Sequence, residues 1–240
     1  MTEKITDLAY NSLIFISIIH FFYLYLGNFL VTLYNLKIVY PFIFIKYTEY
    51  LVNTKITKNI EEKVCFTSSI HAFLIIVYSV LYIYNLININ IFNTGLYYSA
   101  LYNTLDIIYM FKYDLKMKKE MTIHHILVIT AIMARHLTNV PYNYNYYLAM
   151  NFLTEVTTIP LNCSWYLYIT NQKNRKEFKI FNILTLILYI PFRVILNTYL
   201  FYDELYNLDT NLKYCQLFMV FMNYHWFYKI CQMTYKNIIS

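Results

Sequence analysis

The chain has 240 residues, 59% of them apolar and 20% aromatic, with 13% charged, a formal net charge of +6 and a mean hydropathy of +0.41. Average soluble domains carry about a quarter charged residues, so the composition argues against an ordinary soluble fold and for a polytopic helical membrane protein. With two glycines in all, there is no Rossmann or P-loop phosphate cradle.

A bilayer core takes roughly 20 apolar residues per helix. By that measure seven transmembrane helices are predicted near 10–33, 67–88, 95–112, 121–138, 145–169, 180–201 and 212–229. The first run is too long for a signal peptide and lacks a small-x-small cleavage site, so it is expected to remain as an anchor. Residues 1–60 then form this anchor with a basic loop, and 235–240 a short tail.

The basic residues alternate loop by loop. Lys37, Lys46, Lys55, Lys58 and Lys63 fall in one loop. Lys112, Lys116, Lys118 and Lys119 fall in the second, Lys173, Arg175, Lys176 and Lys179 in the third, and Lys229 and Lys236 at the C-terminal end. Lys4, Arg135 and Lys213 face the other way. The positive-inside rule then puts the C-terminus in the cytosol and the N-terminus in a lumen or outside. The lysines read as topology determinants, so no nucleic-acid partner is expected. Cys65, Cys163, Cys215 and Cys231 form no CxxC pair and read as small buried hydrophobes.

Ionisable groups inside a membrane are costly and usually face a protein interior. From the cytosolic helix ends, His71 lies about 6 Å deep, His124 and His125 about 8 Å, Asp106 and Asn223 about 9 Å, and Asn162 about 12 Å. Their shared depth predicts a polar pocket open to the cytosolic side. Glu155 and Arg193 lie deeper, at about 21–22 Å, and are expected to form an ion pair. Asn151, Glu155, Thr158 and Asn162, continued by Trp165, share one face of the fifth span, beside a helix break expected at Pro160. Adjacent histidines diverge by roughly 100° around a helix, so only one of His124 and His125 can face the pocket directly. No HxxH, HxxHH or HxxxH box occurs, which removes di-iron chemistry, and no metal is expected.

These residues carry a resemblance. "SSIHAF" at 68–73, "YNTLD" at 102–106, the 18-residue interval from Asp106 to His124, "TEVTTIPLNCSWYL" at 154–167, "FRVI" at 192–195 and "NYHWFYKI" at 223–230 resemble, in order, the motifs of the TLC domain (the TRAM/Lag/CLN homology region). The chain looks closest to that family's small multi-pass branch. The resemblance implies an all-α membrane domain over 61–234, with six helices around a cavity and the first span as an extra anchor. It also implies an endoplasmic reticulum or related endomembrane location, membrane lipids as partners and a role in lipid binding, sensing or trafficking.

Ceramide synthases of the family join an acyl chain from acyl-CoA to a sphingoid amine at paired histidines. In that reading His124 or His125 would be the base, Asp106 its orienter and acyl-CoA a co-substrate, with no further cofactor. The synthases carry a His-Asp-x-x-Asp cluster on the next helix, where this chain has "YYLAMNFLTEV". The sequence therefore favours a lipid-binding or lipid-regulating protein whose pocket is lined by His71, Tyr102, Asn151, Glu155, Thr158, Asn162, Trp165 and Asn223. An N-acyltransferase and a non-catalytic trafficking adaptor are the alternatives.

Overall fold

A computed structural model of the chain describes residues 60–115, 118–137, 144–207 and 212–239. The expected first span at 10–33 and most of its loop lie outside the described residues. Six helices follow: α1 (Ile60–Ile83), α2 (Ile89–Lys112), α3 (Lys118–Leu137), α4 (144–169), α5 (176–207) and α6 (Leu212–Ile239). Among the described residues there is no strand.

Among the described residues two helices, Ile60–Ile83 and Lys176–Tyr206, are long and apolar enough to cross a membrane. Only 28% of the apolar window in each is buried, whereas the core helix of a soluble protein would be mostly covered. Ile183, Ile187, Ile195, Tyr199, Phe218 and Phe221 are exposed on α5 and α6. An apolar surface this continuous is a liability in water and suits a lipid solvent.

Helix ends depart from the edges of the apolar stretches that reveal them. α1 starts at Ile60 rather than near 67, with Glu61 and Glu62 in its first turn, where carboxylates meet the positive end of the helix dipole. It stops at Ile83, short of the expected 88. There Asn85 takes φ 57° and the Leu86 N–H reaches the Leu81 carbonyl at 2.8 Å. The same left-handed stop recurs at Asp114 (φ 50°) after α2 and at Asn171 (φ 58°) after α4. Short polar side chains tolerate this conformation, which is how a chain nearly devoid of glycine turns between helices. In the α2–α3 turn the Lys118 ammonium bonds the exposed Asp114 carboxylate and holds its pKa below the ordinary value.

α4 and α5 are each interrupted, and the interruptions touch. α4 passes from Tyr144–Phe152 through a 3-10 turn at Leu153–Thr157 into Thr158–Ile169. Pro160 has no N–H for the Val156 carbonyl, and the turn before it tightens. α5 widens into a π turn at Ile190–Ile195, where the Leu196 N–H reaches the Pro191 carbonyl. Here Pro191 withholds its own N–H.

Around the molecule, α1 packs on α2, α2 on α3, α3 on α6, α6 on α5, α5 on α4, and α4 back on α1. The larger apolar cluster (Ile75, Phe92, Leu96, Ile132, Leu148, Leu200) gathers toward the ends remote from the basic loops, and a smaller one around Tyr189, Trp226 and Ile230 lies nearer them. Gly95 sits against Tyr78, where an added Cβ would lie 2.7 Å from Tyr78 Cγ, so α1 and α2 meet with no room for a side chain there.

Candidate functional site

Polar side chains form three connected groups. The first joins α1, α2 and α3. His71 Nε2 lies 3.0 Å from Ser99 Oγ, and its ring stacks on Tyr102 at 4.0 Å between centroids. His125 Nε2 lies 2.8 Å from Asp106 Oδ2, and Tyr102 meets the His125 ring edge-on at 6.4 Å. One turn separates Tyr102 from Asp106 on α2, which places ring and carboxylate on one face.

The second group sits at the two helix interruptions. Arg193 is buried and its guanidinium reaches four acceptors: Thr157 Oγ1 at 2.7 Å, Thr158 Oγ1 at 2.9 Å, Glu155 Oε1 at 3.3 Å and Asn223 Oδ1 at 3.5 Å. The Thr158 hydroxyl donates in turn to Glu155 Oε2 at 2.6 Å. The irregular turns supply this geometry. Glu155 and Thr158 would share a face even in a straight α4, and the 3-10 turn at Leu153–Thr157 brings residues three apart closer to eclipse beside the guanidinium.

The third group borders a cavity of about 70 Å³ between α3, α4, α5 and α6. Its polar lining comes from His124, Asn151, Thr154, Glu155, Asn197, Glu204 and Gln216, and its apolar walls include Leu148, Phe152 and Met219. Gln216 Nε2 donates to Asn151 Oδ1 at 3.0 Å and to Asn197 Oδ1 at 2.9 Å, tying α6 to α4 and α5.

Two histidines adjacent in sequence therefore have different surroundings. His125 is held by Asp106. His124 borders the cavity, packs edge-on against Trp226 at 5.3 Å, and has its Nδ1 buried with no partner among the described residues.

Of the residues expected to line a pocket, Asn151 and Glu155 border this cavity; His71, Tyr102, Thr158, Asn162, Trp165 and Asn223 do not. Asn162 bonds Ser69 at 3.2 Å and Trp165 stacks on Tyr168 at 5.1 Å. The cavity also lies differently from the expected cytosolic opening. From His124 and Glu155 it runs to Tyr144, Glu204 and Cys215, near the helix ends remote from the basic loops. Depth measured along separate helices does not register which faces meet. Thr157, Asn197, Glu204 and Gln216 went unread in the sequence, although Asn197 stands one turn after Arg193 and so shares its face. All four cysteines are free, and no group of three or more His, Cys, Asp or Glu is placed to hold a metal among the described residues.

The TLC-domain family profile matches residues 61–232, most of the chain. The chain belongs to the TLC-domain family. Neither a curated protein nor a solved structure matches it. For this TLC domain, then, the histidine pair, Asp106 and Arg193 occupy the motifs on which the resemblance rested.

Proposed function

We propose that this TLC-domain protein is a seven-span membrane protein that holds a membrane lipid and so regulates lipid composition. Its basic loops and C-terminus would lie in the cytosol, within the endoplasmic reticulum or a related membrane. Family membership supports a lipid-related role. The single observation that carries the reading is the mixed cavity, with seven polar side chains set among apolar walls and His124 at its inner end, the kind of lining a small-molecule site uses. At about 70 Å³ it takes a head-group fragment or a chain end, with the rest of the lipid along exposed helix faces.

One observation favours a second reading, N-acyl transfer from acyl-CoA. The 2.8 Å contact between His125 and Asp106 is the arrangement by which a carboxylate orients an imidazole base. Against it, His125 is buried away from the cavity lining, and the acidic cluster of the synthases is missing.

The test is lipid mass spectrometry on purified wild type, His124→Ala and His125→Ala, each incubated with acyl-CoA and long-chain amines. The proposal expects a co-purifying lipid that is lost in His124→Ala and no N-acyl product. Histidine-dependent product would make the protein a transferase. Equal lipid content in all variants, with no product, would leave an adaptor.

A further inference from the structure

The cavity contains a buried acid that the reading above leaves unused. Glu204, on the last turns of α5, is 3% exposed and lines the cavity, and among the described residues no side chain or backbone group hydrogen-bonds it. Every other strong polar group around the space is engaged or neutral. Glu155 is met by Arg193. Gln216 spends its amide N–H groups on Asn151 and Asn197. The neighbouring Asp203 takes the Tyr147 hydroxyl. Among the described residues no lysine or arginine lines the cavity. The space therefore offers one unanswered carboxylate, in a lining that also includes the rings of Tyr144 and Phe152.

A carboxyl buried in a protein interior without a partner is costly. What offsets the cost is a cation that enters with its own hydrogen-bond donors. Aromatic walls also favour an organic cation. A bare divalent ion fits poorly, since it asks for six or more oxygen ligands, and these walls are largely apolar.

We infer that the cavity seats a primary ammonium group against Glu204. This rests on the lipid-holding reading and names the head group. The same ammonium chemistry belongs to an ethanolamine lipid and to a free small amine, and the experiment separates them.

The full chain is purified as wild type, Glu204→Gln and Ala131→Leu, the last filling the cavity while keeping the carboxylate. Thermal unfolding is followed against ethanolammonium chloride. Native mass spectrometry then follows the same proteins in nanodiscs of phosphatidylcholine and phosphatidylethanolamine.

Ethanolammonium should raise the unfolding temperature of wild type, with affinity weakened about thirtyfold or more in Glu204→Gln, as when one partner of a buried charge pair is removed. Ala131→Leu should also lose it. Retention of phosphatidylethanolamine by wild type alone assigns the ammonium to a lipid; a response to ethanolammonium without lipid retention assigns it to a soluble amine. Equal binding by wild type and Glu204→Gln, or binding by neither, overturns the inference. Should Glu204→Gln not fold, binding that survives in Ala131→Leu overturns it. Phosphatidylcholine held equally by wild type and Glu204→Gln, and lost in Ala131→Leu, would sink the ammonium while sparing the lipid reading. No lipid in any variant, with no response to ethanolammonium, would sink both.

Discussion

Glu155 and Arg193 allow the packing of this site to be weighed. In Glu155→Gln the guanidinium keeps Thr157, Thr158 and Asn223 as acceptors and loses its only carboxylate. In Arg193→Met the Glu155 carboxylate, 13% exposed, keeps only the Thr158 hydroxyl. Removing one member of a buried pair costs about 3–5 kcal/mol, because the other charge is stranded, whereas replacing both with neutral groups is often close to neutral. The double variant strands little. Thr157 still donates to the Thr154 carbonyl, and Thr158 still faces an acceptor at 155. We expect each single variant to lose about 3–5 kcal/mol, the double variant about 1–2 kcal/mol, and hence a coupling of several kcal/mol. At about 2–4 °C per kcal/mol for a domain of this size, thermal unfolding in detergent should show the singles well below the double. A double variant that loses the sum of the singles would refute the pairing as an energetic unit.

Gly95→Ala should cost about 1–3 kcal/mol through overpacking against Tyr78, and Gly95→Ala combined with Tyr78→Ala should cost less than the two changes summed, again by thermal unfolding. Asp106→Asn should lower stability by about 1–3 kcal/mol, since it weakens the buried partner of His125; an unchanged melting temperature would remove that contact from the fold's support. Glu120→Gln removes the charge that meets Lys229 at 2.6 Å and leaves one oxygen to share between it and the Trp226 N–H at 3.1 Å. Because Glu120 and Lys229 are 35% and 41% exposed, the loss should be within about 1 kcal/mol and should shrink in high salt.

What the sequence determined by itself was set by solvent and by local chemistry. Long apolar runs locate helices because a backbone in lipid must satisfy its own hydrogen bonds. The order of motifs from "SSIHAF" to "NYHWFYKI" carried the family. The matching depths of Glu155 and Arg193 also made their contact legible, because a membrane leaves a buried charge few partners.

Helix ends were less legible. Hydropathy marks where lipid begins, and helices such as α5 and α6 continue past it into polar flanks. Glu204 was missed for that reason: the span was read to 201, while the helix runs to Asn207.

Only the tertiary structure decided where the cavity lies. His124 and His125 are one residue apart, and the rotation of α3 alone gives one to the cavity and the other to Asp106. The gathering of Thr157 and Thr158 around Arg193 depends on a 3-10 turn meeting a π turn across two helices. Asn151, Asn197 and Gln216 come together from three helices through side-chain amides. Sequence spacing orders residues along one helix axis. Which faces of different helices meet is fixed by packing, and the polar site is assembled at those meeting faces.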